Sequence, residues 1–198
     1  GMDPIEFRLL NAAKEGTRRA DGVIFPKVGN IEVLEAAKAS PHWKASLGTP
    51  PKGRVRGRGL ASGYWFNIGM KSTVNLQVNS DGTVALIEGS TDIGGTRTSI
   101  AMQAAEILGI AVENFRPVVG DTETAGYADV TGGSRTTYAT GYAAVKAAEN
   151  LVTVLKERCA ILWSIDEKDV DFNDGTFFAT KDPELKISFK ELASKIGD

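Results

Sequence analysis

The alternation of apolar and polar residues changes character along the chain. Residues 72–79 alternate strictly, with Val74, Leu76 and Val78 on one face, which predicts a half-buried strand. Asp81-Gly82 is a hairpin signal, and residues 83–89 return as the partner strand. Apolar spacing then shifts to the helical period over residues 98–108, where Gly109 is placed to stop the helix in the left-handed conformation. Residues 115–119 predict another strand, and Gly120 to Thr124 the loop that leaves it. From about residue 137 to 163, Tyr138, Tyr142, Val145, Ala148, Val152, Leu155, Cys159 and Leu162 recur at spacings of three and four. They form one stripe on a helix of about seven turns. A short hairpin around Asn173-Asp174-Gly175 follows, and Ser188 with Glu191 forms a capping box that opens a last helix.

Ahead of these elements the pattern is weaker. Asp3 and Pro4 read as the N-cap and first position of a helix with Phe7, Leu9 and Leu10 on its apolar face. Residues 16–30 read as loop, residues 32–39 as a short helix stopped by Ser40-Pro41, and residues 48–53 as a linker. The glycine- and aromatic-rich run from Val55 to Ile68 reads as strand. The expectation is an α+β fold in which β-hairpins and a mixed sheet pack against two to three helices. Residues 1–52 form an N-terminal helical and loop appendage and residues 53–198 the main α+β domain.

Composition narrows the function. The 198 residues are 42% apolar, enough for a real core, and no run of about 18 apolar residues predicts a membrane span. The 23 basic and 25 acidic residues are mixed, so no basic patch points to nucleic acid and a small molecule or another protein is the expected partner. No leader pattern opens the chain, and the single cysteine, Cys159, allows neither an internal disulfide nor a cysteine metal cluster. A reducing, cytoplasmic setting is expected. Cys159 falls on the predicted long helix, far in sequence from the only histidine, His42, and reads as a small buried hydrophobe.

The chemistry-bearing feature is a pair of turns. Ser90 to Thr98 and Thr131 to Thr137 each set glycines and hydroxyls directly before a helix, where free N–H groups favour an anion, and each carries an arginine, Arg97 or Arg135. Two such turns suggest one polyanion gripped from two sides. The Gly94-Gly95 pair serves a tight turn as readily as a ligand. The run of seven small, hydroxylic or cationic residues from Thr131 to Thr137 suits an anion better than a core. Arg135 has three readings: an anion grip, a surface charge or a salt-bridge partner of Asp129. Neither turn carries the phosphate lysine of an NTPase loop or the three-glycine spacing of a dinucleotide fold. Asp92, Asp121 and Glu123 read as loop acids. A non-redox nucleotide- or phosphate-binding module and a purely structural segment both remain compatible with these residues.

Seven motifs in order resemble the large, molybdenum-cofactor-binding subunit of the xanthine dehydrogenase and aldehyde oxidase family. They are Gly1 to Arg8, Gly57-Arg-Gly-Leu-Ala61, Asp81-Gly82, Thr91-Asp-Ile-Gly94, Gln103 to Gly109, Gly120-Asp-Thr122 and Gly133-Ser-Arg-Thr-Thr137, and the likeness runs to about residue 160. The resemblance implies a fragment of a molybdenum hydroxylase subunit. Its glycine turns would bind the phosphates and pterin of molybdopterin, in many bacterial members the cytosine dinucleotide form, for oxidative hydroxylation of an aldehyde or an N-heteroaromatic carbon. It implies cofactor contacts at Ile93, Gly94 and Gly95 in the first turn and at Gly133, Ser134, Arg135, Thr136 and Thr137 in the second. No metal ligand is implied among these 198 residues. Nor is a catalytic residue, since the family's base is a glutamate near the far end of the subunit. Iron–sulfur clusters and FAD are expected on other segments or subunits, and the remaining segments of the same subunit as partners. The family commonly sets a glutamine between the two glycines of the first turn. Here Gly94 and Gly95 are adjacent, so that side chain is missing.

Overall fold

The computed structural model describes residues 1–196, which fall into two compact units, residues 1–64 and residues 65–196. In the first unit, α1 (Pro4–Leu10) is capped by the Asp3 carboxylate, which accepts from the N–H groups of Ile5 at 2.8 Å and Glu6 at 3.1 Å. The expected apolar face is not the buried one. Phe7 and Leu10 are exposed and Ile5 is fully buried. α2 (Asn30–Ala39) contributes Leu34 to this small interior, and Ser40 caps the single turn α3 (Pro41–Lys44). Residues 53–64 belong to this unit and carry no strand. Arginines bind them to it instead. Arg8 donates to the Leu60 carbonyl at 2.7 Å, Arg56 to that of Leu47 at 2.7 Å, and Arg58 to those of Trp43 and Ala45. The compact units therefore divide after residue 64 rather than after residue 52. The strand-like composition of residues 55–68 finds no partner strand.

The second unit holds one continuous core under two three-stranded sheets. β1 (Val74–Val78) and β2 (Val84–Glu88) form the predicted hairpin, antiparallel with Val74 opposite Glu88. α4 (Thr96–Leu108) then crosses over, and β3 (Phe115–Val119) pairs parallel to β2 with Val84 opposite Phe115. Parallel pairing demands such a crossover. Here it places the start of α4 just beyond the end of β2. α4 lies against α5 (Gly141–Trp163), and the two meet through alanines, Ala101, Ala104, Ala105, Ala144 and Ala148 all being buried. The second sheet is β4 (Val170–Asn173), β5 (Thr176–Ala179) and β6 (Lys186–Ser188), followed by α6 (Phe189–Ala193) with the predicted capping box.

The long helix differs from expectation at its start. Residues Thr136–Thr140 form a wide π turn before the α-helix begins at Gly141. The extra residue in that turn shifts Tyr138 out of the stripe, and Tyr142, inside the regular helix, lies at the edge of the buried face, so both are exposed while Thr140, Ala144, Ala148, Leu155 and Cys159 face inward. Leu162, at the far end, is also largely exposed.

Candidate functional site

The first turn begins where β2 ends. Glu88 is the last residue of the strand and is almost wholly buried. Beyond it Ser90 stays buried while residues 91–95 come to the surface. Gly94 and Gly95 adopt left-handed φ values of 62° and 85°, and a Cβ at either would meet no atom within 4 Å. The conformation, not crowding, requires glycine here, and it leaves an open cradle in front of α4. Within that cradle the Asp92 carboxylate accepts from the Arg97 N–H at 3.1 Å and from the Thr96 hydroxyl at 3.3 Å, and the Thr96 hydroxyl oxygen accepts from the Ile93 N–H at 3.1 Å. Among the described residues, the N–H groups of Gly94, Gly95, Thr96 and Thr98 have no protein acceptor. Arg97 extends half-exposed beside them. Its Nε lies 3.7 Å from Asp92 and has no hydrogen-bond partner.

The second turn is built by two left-handed residues in succession, Gly133 at φ 59° and Ser134 at φ 55°. A Cβ on Gly133 would lie 2.7 Å from the Ile68 side chain, so glycine is needed there for close approach. Two bonds clamp the turn from outside: Ile68 N–H to the Gly133 carbonyl at 2.9 Å and Asn67 Nδ2 to the Ser134 carbonyl at 2.9 Å. The N–H groups of Ser134, Thr136 and Thr137 have no protein acceptor among the described residues.

The Arg135 side chain is fully buried beneath this turn. Its Nε donates to the Gly69 carbonyl at 2.7 Å, Nη1 to the carbonyls of Asp129 at 2.9 Å and Val130 at 3.4 Å, and Nη2 to the Lys71 carbonyl at 2.7 Å and to Ser72 Oγ. Five donors meet five acceptors, so the guanidinium has nothing left to offer a ligand. Of the three roles the sequence allowed, anion grip and surface charge do not match this side chain. The salt bridge to Asp129 is replaced by a bond to the Asp129 carbonyl. The Asp129 carboxylate accepts from Tyr127 OH at 2.6 Å and Lys71 N–H at 2.7 Å, and these bonds hold it below the usual carboxylate range.

The two turns stand side by side. Thr91 N–H donates to Thr131 Oγ1 at 3.2 Å, Ser90 Oγ and Thr140 Oγ1 are 2.9 Å apart, and Gln103 of α4 donates to the Thr137 carbonyl at 3.1 Å. The structure thus brings Ile93, Gly94 and Gly95 next to Gly133, Ser134, Thr136 and Thr137, with Arg135 underneath. Asp121 caps its own loop through Glu123 and Thr124 and makes no bond to either turn. Sequence reasoning missed Glu88, Ser72, Ser90 and Thr140. The hairpin register held a signal for the two serines, which lie at matching distances on either side of its turn. Burial pushes the Glu88 carboxyl above the usual range. The Ser90 N–H, bonded to its Oε2 at 2.5 Å, the Ser90 hydroxyl and the Arg97 charge oppose that rise, while Oε1 has no partner.

A sequence model for the family described as the molybdopterin cofactor-binding domain matches residues 33–197. The chain belongs to this family. Curated relatives include the aldehyde oxidoreductase molybdenum-binding subunit PaoC of Escherichia coli O157:H7, 32% identical over 88% of the chain and 24% of that subunit. Another is a putative xanthine dehydrogenase molybdenum-binding subunit of Escherichia coli K12, 28% identical over 98% of the chain and 27% of that subunit. This molybdopterin cofactor-binding domain therefore spans about a quarter of the length of the curated relatives it matches. Among solved structures, reconstituted CO dehydrogenase from Oligotropha carboxidovorans matches with a TM-score of 0.59 at 28% identity, over 63% of this chain and 16% of that one. The geometry fits a cofactor carrying phosphate. The cradle at Gly94 and Gly95 is open, backbone N–H groups in both turns are free, and one unburied arginine stands at its edge.

Proposed function

We propose that the two turns together hold the phosphates and pterin of molybdopterin in its cytosine dinucleotide form. The observation that carries this reading is the pairing of the two arcs of free N–H groups, joined directly by the Thr91 to Thr131 hydrogen bond. Gly94, Gly95, Thr96 and Thr98 form one wall of donors and Ser134, Thr136 and Thr137 the other, while exposed Ile93 supplies an apolar contact. Arg97 supplies the charge, because Arg135 is spent on holding the second turn. Seven backbone donors and one cation around an open cleft suit a pyrophosphate, whose negative oxygens spread over both walls.

When bound, the molybdenum centre supplies the redox chemistry of oxidative hydroxylation, and this domain's residues fix its place. The whole protein, on this reading, is a cytoplasmic molybdenum hydroxylase that acts on an aldehyde or an N-heteroaromatic substrate and passes electrons to iron–sulfur and flavin partners. Similarity to the molybdenum-binding subunits of aldehyde oxidoreductase and xanthine dehydrogenase supports it. The test is to purify the complete protein from a molybdate-fed host and measure molybdenum per chain together with cytidine monophosphate released by acid. About one equivalent of each is expected, falling at least severalfold in Arg97→Ala. Molybdenum without cytidine refutes the dinucleotide form. A folded protein carrying neither refutes the cofactor reading and favours a non-redox phosphate-binding module.

A further inference from the structure

The π turn before α5 delivers a threonine to a place where three hydroxyls meet. Because Val74 pairs with Glu88 across the hairpin, Ser72 and Ser90 lie two residues beyond that pair at the hairpin's open end. Thr140, fully buried, sits between them, its Oγ1 2.8 Å from Ser72 Oγ and 2.9 Å from Ser90 Oγ. At one end of this row Arg135 Nη2 donates to Ser72 Oγ. At the other, the Glu88 carboxyl accepts from the Ser90 N–H.

The guanidinium end sets the direction of the row. A guanidinium can only donate, so Ser72 Oγ accepts from Arg135 and is free to give its own proton to Thr140. Thr140, having accepted from Ser72, can give its proton to Ser90, whose backbone N–H is in turn tied to Glu88. Ser72 and Thr140 then each accept once and donate once, with the Arg135 cation at the head of the row and the Ser90 hydroxyl at its tail. Such one-way chains polarise along their length. This chain also crosses between the two glycine turns: Arg135 and Thr140 flank the second, while Glu88 and Ser90 lead directly into the first.

We propose that Ser72, Ser90 and Thr140 are positioning residues. On this reading their hydroxyl chain, running from Arg135 to Ser90, locks the two glycine turns into a single clamp, so that ordering one turn orders the other. None of the three side chains needs to touch a ligand. Their work is to keep the free N–H groups of both turns at a fixed separation. That separation is what a pyrophosphate bridging the two walls reads, and in this respect the inference rests on the function proposed above. The lock itself is a property of the ligand-free fold.

The experiment uses the complete protein and compares wild type with Thr140→Val, which keeps the shape and removes the hydroxyl, and Thr140→Ser, which keeps the hydroxyl. Amide hydrogen exchange is followed without ligand at the hydrogen-bonded amides of residues 90–99, those of Ser90, Thr91, Ile93, Arg97 and Ser99, in the turn that does not contain residue 140. In Thr140→Val, exchange there is expected to quicken about fivefold, the factor that the loss of one net hydrogen bond implies. In Thr140→Ser it stays within about twofold of wild type. Ser90→Ala, at the opposite end of the link, gives the reciprocal result, quickened exchange at the hydrogen-bonded amides of Arg135 and Ala139 in the second turn. In protein isolated with cofactor, Thr140→Val releases molybdenum on dilution several times faster than wild type or Thr140→Ser. Unchanged exchange at residues 90–99 in Thr140→Val overturns the proposal. So does Thr140→Ser behaving like Thr140→Val, because then packing rather than the hydroxyl matters. Should wild type hold no molybdenum, the function proposed above fails, and the exchange comparison alone still decides whether the turns are locked.

Discussion

Replacing Arg135 by alanine separates an arginine that grips a ligand from one that holds a fold. In the structure the side chain is fully buried, and all five of its N–H groups end on protein oxygens: four carbonyls and the Ser72 hydroxyl. Those carbonyls come from Gly69, Lys71, Asp129 and Val130, two stretches that no strand pairing joins at this point. Truncation leaves five acceptors facing a cavity. A bond from a charged donor is worth about 1.5–3 kcal/mol, and entering water recovers part of each, so a net loss of roughly 4 kcal/mol is expected. For a protein of this size that lowers the thermal midpoint by about 8–16 °C. Lysine restores the charge but not the fork, and Arg135→Lys is expected to recover less than half of the loss. Differential scanning calorimetry of the three proteins without cofactor is the assay. A midpoint for Arg135→Ala within about 2 °C of wild type, accompanied by lost cofactor, would show the guanidinium serving the ligand and refute the assignment.

Gly95→Ala places a side chain at φ 85° in open space, so conformational strain is the main penalty, about 1–2 kcal/mol. Cofactor content is expected to fall further than this small loss of stability explains, and molybdenum per folded chain measures it. Glu88→Gln tests the buried carboxyl. Its folded pKa lies above the ordinary 4.5, so the folded state holds a proton that the unfolded state gives up first. The stability this contributes is full below about pH 4.5 and is lost as pH rises through the folded value. The thermal midpoint of wild type should therefore drop relative to Glu88→Gln as pH rises from 4.5 towards 8. A constant difference between the two contradicts the burial argument, in which Asp92 and Arg97 are the charged neighbours. The Cys159 thiol, buried with its pKa pushed up to about 11, is expected to react with a thiol reagent at pH 8 only as fast as the protein opens. Complete labelling within minutes under native conditions would contradict that environment.

Elements whose signals are local were legible in the sequence. The hairpin at Asp81-Gly82, the stop at Gly109, the Asp3 cap and the Ser188 capping box all depend on a few neighbouring residues, and all are present. What could not be read locally was fixed by distant partners. Residues 53–64 resemble strand in composition, yet side-chain bonds from Arg8, Arg56 and Arg58 settle where they go. Tyr138 fits the helical stripe, yet one extra residue in the π turn moves it outward, and Tyr142 falls at the exposed edge because spacings of three and four drift around a helix of about 3.6 residues per turn. For the candidate site, the positions of both glycine turns were legible because left-handed backbone selects glycine. The role of Arg135 was not, because carbonyls carry no sequence signature. Glu88 was invisible for a related reason: a carboxylate at a strand end looks like a solvent-facing residue until the crossover covers it.

The left-handed stop of α4 reaches beyond the helix it ends. A Cβ on Gly109 would fall 2.2 Å from the Gly175 nitrogen, and one on Gly175 would fall 2.4 Å from the Gly109 carbonyl oxygen. The end of α4 and the tip of the β4–β5 hairpin, far apart in the chain, touch backbone to backbone. Neither position tolerates a side chain while the other segment keeps its place, so a substitution at either glycine has to displace the other segment. A chimera that imports residues 165–196 from a relative will join cleanly only where the donor's hairpin tip is equally bare. The same holds for any graft of α4. The seam along which these proteins can be recombined thus lies at a contact between two residues that contribute no side chain at all.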